Sequence, residues 1–320
     1  MKTANSMPIK VHEAPECELC GATGMVLHEN LADRLFHAPG VWNLRRCMNE
    51  RCELFWTDPR PDSADIWKLY QSYWTHGNNS EPDAELSSVG KRRIKRLAAR
   101  LLFWRREALL SDSRYLNQMP AGRLLDVGCG TGDFLAGMAQ IGWDATGIDF
   151  DEEAVVSARR HQGIKVFSGS IFDQKFPHDA FDAITLSNVI EHIPSPLEMF
   201  IELKRILAPG GRIIIVTPNP NSLGHRSFGR CWRGLEPPRH LFLFTPRMLK
   251  ALAVRAGLTP IASFSAVGAK SGILRTSSEL WHRFPRSKPS PNVARLQLQE
   301  QIFTLFNLPV GEFSVLLASK

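Results

Sequence analysis

The chain reads as an α/β protein, a doubly wound and mostly parallel sheet preceded by a small cysteine-paired module. Three observations predict this. Short apolar runs alternate with helical patterns from Arg123 onward, the signature of a parallel sheet covered on both faces. The first of these runs breaks into a glycine loop, Asp126-Val127-Gly128-Cys129-Gly130-Thr131-Gly132. Four of the six cysteines fall in two N-terminal pairs.

The bulk properties suit this reading. A chain of 320 residues with 43% hydrophobic and 22% charged content holds one large core plus a smaller module. An excess of 39 Lys+Arg over 32 Asp+Glu, net charge +7, favours anionic partners without naming one. No run approaches the roughly 18 apolar residues of a membrane span, and the N-terminus lacks a signal-type apolar core, so the expected location is cytoplasmic.

The elements follow in order. Residues 1–62 form the first module, with Cys17-Glu18-Leu19-Cys20-Gly21 and then Cys47-Met48-Asn49-Glu50-Arg51-Cys52. A C-x2-C turn followed by glycine aims two thiolates at one point. The second, wider pair completes four sulfur ligands, so Cys17, Cys20, Cys47 and Cys52 are expected to hold a structural zinc. Four thiolates leave no open position for catalysis by that metal. Residues 63–118 form an arm. Trp67, Tyr70 and Trp74 fall on one helical face, which suits core packing better than ligand stacking, and Tyr73 adds a fourth aromatic. Residues 75–90 are polar and turn-rich, a linker or lid. Residues 91–106 then carry eight basic side chains and no acid, interleaved with Ile94, Leu97, Leu101 and Trp104. Such a basic amphipathic helix packs on the next domain, associates peripherally with an anionic membrane surface, or follows nucleic-acid phosphates, in that order of weight.

Residues 119–320 form the main domain. Strand 123–127 leads through the glycine loop to a helix over 132–141. A dinucleotide fingerprint would need its third glycine at 133, where this chain has Asp133. The second strand, 144–148, ends at Asp149-Phe150-Asp151. Asp149 stands where a doubly wound fold places the acid that accepts hydrogen bonds from ribose hydroxyls. Strand 165–167 leads to Gly169-Ser170-Ile171-Phe172-Asp173. Strand 181–186 continues into Ser187-Asn188-Val189-Ile190-Glu191-His192-Ile193-Pro194. A helix over 197–207 is expected to stop at Ala208-Pro209-Gly210-Gly211 before strand 212–216, after which Asn219 is expected to face a ligand. Residues 219–245 and 270–311 read as substrate-side insertions, the first containing Glu236-Pro237-Pro238-Arg239-His240. Thr245 and Pro246 suit the N-cap and first turn of a helix. Strand 258–267 and a closing antiparallel strand over 312–318 complete seven.

With these motifs in order, the chain resembles the class I S-adenosylmethionine-dependent methyltransferases over about residues 119–268, and its seven-stranded sheet is then Rossmann-like. The resemblance implies S-adenosylmethionine as cofactor. It implies a cofactor-binding set of Asp126, Gly128, Gly130, Gly132, Asp149, Phe150, Ser170, Ile171, Asp173, Ser187 and Asn188, with Ile171 lining the adenine pocket. The Pro-Arg-His-aromatic run resembles one found in small-molecule methyltransferases near the acceptor pocket. His240 is thus the first candidate for general base or acceptor ligand, and His192 the second, each with a structural role as its alternative. The cysteine module resembles those ahead of bacterial methyltransferases that modify sugars and surface polymers. The expected acceptor is therefore a small molecule, a lipid-linked sugar or a glycan precursor. RNA is a less favoured acceptor, because Ser187-Asn188-Val189-Ile190 lacks the Asn/Asp-Pro-Pro-aromatic motif of base methylation. A non-catalytic, zinc-bearing scaffold that binds the cofactor is a third reading, opposed by the intact glycines and Asp149.

Overall fold

The computed structural model describes residues 9–70, 114–117, 119–268, 272–283 and 289–320. Tyr73, Trp74, the turn-rich segment 75–90 and the basic segment 91–106 lie outside the described residues. The chain divides into two compact units. One comprises Trp74–Thr185 with Ile206–Ile214; the other comprises Met1–Tyr73, Leu186–Arg205 and Ile215–Lys320.

The N-terminal segment carries β1 (Val11–His12), β2 (Gly24–Leu31), β3 (Trp42–Cys47), β4 (Phe55–Asp58) and β5 (Arg60–Pro61), then a 3-10 turn over Ser63–Tyr70. Two tight turns bring its cysteines together. Gly21, in the left-handed region at φ 71°, donates from its N to Cys17 O at 2.8 Å. In the second turn Cys52 N donates to Asn49 O at 2.9 Å, and Cys47 N closes the β3–β4 hairpin on Leu54 O at 2.8 Å.

From Arg123 the chain builds β6 (Arg123–Val127), α1 (Asp133–Gln140), β7 (Asp144–Asp149), α2 (Glu152–Ala158), β8 (Ile164–Ser168), β9 (Phe181–Ser187), α3 (Pro196–Ile206) and β10 (Leu207–Pro218). Then come α4 (Leu223–Phe228), two short 3-10 turns, β11 (Phe242–Leu243), α5 (Pro246–Arg255), β12 (Thr259–Ala266), α6 (Gly272–His282), α7 (Val293–Leu305) and β13 (Phe313–Ser319). Seven strands bond in the order β12-β13-β10-β9-β6-β7-β8. β6, β7 and β8 run parallel, and β13 closes antiparallel against β12. The order reverses at β6, so its carboxyl end is the place where open α/β sheets bind ligands.

Local chemistry explains the joints. Asp151 caps α2 by accepting from Glu153 N and Ala154 N, and Thr245 caps α5 by accepting from Met248 N ahead of Pro246. One joint differs from expectation. α3 ends at Ile206 and the extended strand begins at once at Leu207, so Pro209-Gly210-Gly211 lies inside β10 rather than ahead of it. Gly211 is required there, because a Cβ would stand 2.9 Å from both Ala208 O and Asp182 O.

Most of residues 219–245 are buried. Trp232 and Leu235 join Leu31, Trp42, Leu44 and Phe55 in one apolar cluster. β11 pairs antiparallel with β4, Phe242 opposite Trp56 and Leu243 opposite Phe55, as the outer member of a four-stranded sheet β11-β4-β3-β2.

Candidate functional site

The glycine loop leaves β6 with three residues in the left-handed region: Gly128 at φ 71°, Gly130 at 53° and Gly132 at 80°. Such angles are free of strain only for glycine, and the missing Cβ lets a ligand approach the backbone. The loop is tied to the end of β7. Gly128 N donates to Ile148 O at 2.8 Å, and Gly130 N donates to Asp149 Oδ2 at 2.8 Å. Asp149 Oδ1 accepts from Asp151 N at 3.0 Å, so this acid is rigidly oriented at the strand end. Phe150, next to it, is 55% exposed.

Asp126 is fully buried on β6. Its Oδ1 accepts the Thr185 hydroxyl at 2.7 Å and pairs with Arg114, whose guanidinium lies 3.9 Å from the centre of the Phe134 ring. Burial pushes the Asp126 carboxyl above the usual range, and Arg114 opposes that shift. Its Oδ2 has no partner among the described residues. Next along the sheet, Gly169 N donates to Asp149 O at 2.9 Å, which ties the loop after β8 to the same acid. Ile171 is buried there. Asp173 and Ser170 bond each other, the Ser170 hydroxyl donating to Asp173 Oδ2 at 2.7 Å, and this holds the carboxyl below its usual range.

At the carboxyl end of β9, Ser187 is half-buried and Asn188 takes the left-handed region at φ 54°. Its N–H donates to Val216 O at 2.8 Å. A non-glycine residue held at positive φ by its surroundings is the kind of strain that clusters at functional sites.

The turn that follows builds a second constellation. Glu191, His192 and His240 each offer a ligand-type atom, and these atoms lie within 4.8 Å of one another. Glu191 is fully buried. Its Oε2 accepts the Thr217 hydroxyl at 2.8 Å, while Oε1 has no partner among the described residues. Burial raises its carboxyl to about 7. His240 Nδ1 lies 2.7 Å from Gly234 O, and His192 Nδ1 lies 3.0 Å from Arg239 O. A carbonyl only accepts, so we assign the proton of each ring to Nδ1, which leaves both Nε2 atoms as bases. The His240 Nε2 lone pair stands 3.6 Å from Glu236 Oε2 and 4.0 Å from Glu191 Oε1. Burial holds His192 down at about 4 and His240 well below the usual range, so both rings are neutral. Beside them the carboxylates of Asp33 and Glu236 pair with two guanidiniums, Arg239 and Arg233. A hydroxyl proton brought between His240 and an ionised Glu191 would meet acceptors on both sides.

Not every expected ligand residue is free for that duty. The Asn219 side chain donates to Pro309 O at 3.1 Å and Gly311 O at 2.8 Å, and its Oδ1 accepts from Asn221 N. Asn219 is thus a buried loop tie, not an acceptor-facing group. Conversely, Arg114, Thr185, Glu236 and Thr217 carry no motif of their own. Only the spacing of Glu236, Arg239 and His240, three and four residues apart, signals that they act together.

The four cysteines cluster with no disulfide. Cys17 Sγ is 3.6 Å from Cys52 Sγ, Cys20 Sγ is 3.5 Å from Cys47 Sγ, and all four lie within 4.8 Å. Four thiolates each about 2.3 Å from a tetrahedral ion stand about 3.8 Å apart, so the set fits zinc in both chemistry and spacing. The Cys52 thiol, by donating to Cys17, pulls Cys17 down to about 5. Burial pushes Cys47 up to about 11.

Comparison with known proteins agrees with this geometry. A family model described as a methyltransferase domain matches residues 89–263, more than half of the chain. A ubiquinone biosynthesis O-methyltransferase of Pseudomonas aeruginosa (strain UCBPP-PA14) is 34% identical over 105 residues, which cover 31% of this chain and 45% of that protein. Its namesake from Bordetella avium (strain 197N) is 32% identical over 152 residues, covering 43% and 62%. The chain thus spans about half the length of the curated relatives it matches. Among solved structures, an S-adenosylmethionine-dependent methyltransferase from Mesorhizobium loti is 17% identical with a TM-score of 0.47, covering 67% of this chain and 98% of that one. The Haloferax volcanii complex of the Trm112 methyltransferase activator and a putative methyltransferase is 18% identical with a TM-score of 0.49, covering 71% and 96%. With the family match, the seven-stranded order and the glycine loop tied to Asp149 all in place, the chain belongs to the methyltransferase-domain family, the class I S-adenosylmethionine-dependent methyltransferases.

Proposed function

We propose that the chain moves a methyl group from S-adenosylmethionine to a hydroxyl of a small-molecule, lipid-linked or glycan-precursor acceptor. The observation that carries this reading is the buried juxtaposition of His240 Nε2 and Glu191 Oε1 at 4.0 Å, the latter with no hydrogen-bond partner among the described residues. The sulfonium of the bound donor supplies the electrophile, so the chain has to bind, align, exclude water and take the acceptor's proton. Gly128, Gly130, Gly132 and Asp149 suit donor binding, and Asp126, Phe150, Ser170, Ile171, Asp173, Ser187 and Asn188 are proposed as further donor contacts. His240 suits the role of general base, because Gly234 fixes its tautomer and Glu191 stabilises the imidazolium that forms. The names of the curated relatives support oxygen as the atom methylated. Cys17, Cys20, Cys47 and Cys52 are proposed to hold a structural zinc.

Two variants separate donor binding from chemistry. Asp149→Ala should weaken S-adenosylmethionine binding about 10-fold or more in titration calorimetry, the scale of a lost charged hydrogen bond. His240→Ala should keep that affinity yet lower S-adenosylhomocysteine release by roughly 10²-fold on a panel of catechols, phenols and sugar alcohols. Unchanged affinity in the first variant, or unchanged turnover in the second, would remove the corresponding assignment.

A further inference from the structure

The cysteine-paired segment does not stand apart from the two histidines. β4 begins three residues after Cys52, and its two edges bond to different parts of the chain. One edge pairs with β3, Leu44 opposite Thr57. The other takes β11, two residues beyond His240. The Thr57 hydroxyl donates to His240 O at 2.7 Å, and Thr57 N donates to Leu241 O at 3.0 Å. Leu241 N in turn donates to Glu191 O at 2.9 Å, which clamps the His240 segment to the Glu191 turn. Further along the same segment, the Tyr70 hydroxyl stands 3.1 Å from His192 Nδ1. Arg239 is buried between Asp33 Oδ2 at 2.8 Å and Glu236 Oε1 at 2.9 Å.

These bonds share one geometry. His240 is held by its carbonyl through Thr57, by its ring through Gly234, and by its neighbour through Glu191. The first of these supports is fixed by the hairpin that Cys47 and Cys52 close. β4 is anchored by the cysteine turn ahead of Phe55, by β11 along one edge at Phe55 and Trp56, and by Thr57 beyond them. Deleting the anchor frees the strand to slip, and a slip of one residue would turn Thr57 away from His240.

We infer that the cysteine module holds the two histidines in place, with Thr57 and Tyr70 as positioning residues for His240 and His192, so that loading of the four-cysteine centre controls the geometry of these proton acceptors. This rests on the assignment of the two histidines to the acceptor. The module is then a working part of the enzyme, and metal supply sets its turnover.

Hydrogen exchange on the full chain, zinc-loaded and stripped with a chelator, tests the inference without any acceptor. Stripping should speed exchange of the amides of residues 240–243 at least 10-fold, while those of 123–149 keep their protection. Equal loss in both regions, or no change at 240–243, overturns it. Thr57→Val and Thr57→Ser in zinc-loaded protein supply the second arm. Nitrogen-15 spectra of the histidine rings should show a shifted His240 resonance in Thr57→Val and the wild-type position in Thr57→Ser, with unchanged S-adenosylmethionine affinity in both. A His240 resonance that ignores Thr57→Val also overturns the inference. If the exchange and ring signals behave as expected but no hydroxyl probe is methylated, the functional reading fails and the coupling stands. If methylation proceeds and the exchange signals are silent, the coupling alone fails.

Discussion

At the scale of single residues, backbone conformation decides what chemistry is possible. Gly132 sits at φ 80°, and a Cβ there would come 2.9 Å from Ala158 Cβ on α2. Five residues on, in the same loop-and-helix unit, Gly137 has open space around it and an ordinary φ. The two glycines should therefore respond oppositely to alanine. Gly132→Ala is expected to cost roughly 1–3 kcal/mol, from strain and overpacking together. Gly137→Ala, within α1, should stabilise by about 0.5–1 kcal/mol through helix propensity. Urea unfolding of both variants checks the pair; equal effects would mean that the loop is not held as described. His192 and His240 show the same dependence on backbone. Their ring protons are placed by the carbonyls of Arg239 and Gly234, and it is this placement that turns two buried imidazoles into bases.

At the scale of elements, the short hairpin β3–β4 carries more structure than its length would support unaided. Its strands supply Trp42, Leu44 and Phe55 to a core shared with Trp232 and Leu235, while its turn supplies Cys47 and Cys52 to the thiolate cluster. A soft divalent ion in that cluster releases thiol protons and contributes its binding energy to folding. The purified chain should contain about one zinc, and Cys17→Ser should lose it together with several degrees of melting temperature. Elemental analysis with a thermal scan decides this; a metal-free wild type of unchanged stability would leave four ordinary thiols.

At the scale of the whole molecule, the buried titratable groups set how stability depends on pH. Burial raises Glu191 and Glu312 to about 7, and burial with the neighbouring Glu312 charge raises Glu300 to about 8. Each is protonated more readily folded than unfolded, so its contribution is full below about 4.5 and is lost as pH climbs through 7 to 8. Burial lowers His192 and His225 to about 4, so their contribution is full above about 6.5 and is lost as pH falls toward 4. The two sets oppose each other between about 4.5 and 6.5, and only the acids act above that window. With His240 also lowered, three imidazoles oppose the three acids, so thermal stability should be nearly level between about pH 4.5 and 6.5 and fall from there to pH 8. Glu300→Gln keeps an acceptor for Gly224 N and should flatten the alkaline fall. An unchanged slope would show that Glu300 is ionised throughout. Among the described residues no helix is long and apolar enough to cross a membrane.

The glycine loop is legible in the sequence because its geometry is local. Three glycines at fixed spacing and an acid at the next strand end lie within one βαβ unit, where chain connectivity alone brings Gly130 to Asp149. The same holds for the cysteine turns and the Thr245-Pro246 cap. The run Pro209-Gly210-Gly211 was misplaced for the opposite reason: it reads as a local stop, but the pairing of β10 within the sheet extends the strand through it. Asn219 looked like a ligand group and proved to be a loop tie, because its partners, Pro309 and Gly311, are some ninety residues away. The histidine constellation shows the limit most clearly. Glu191, His240, Thr57 and Tyr70 come from four separate stretches, and their meeting depends on β11 adding to the cysteine hairpin. The sequence by itself thus determined the fold class, the glycine loop and the two cysteine turns, whose parts lie close along the chain. Only the tertiary structure decided which buried histidine faces which carboxylate, since that is fixed by long-range strand pairing and burial, which leave no local pattern.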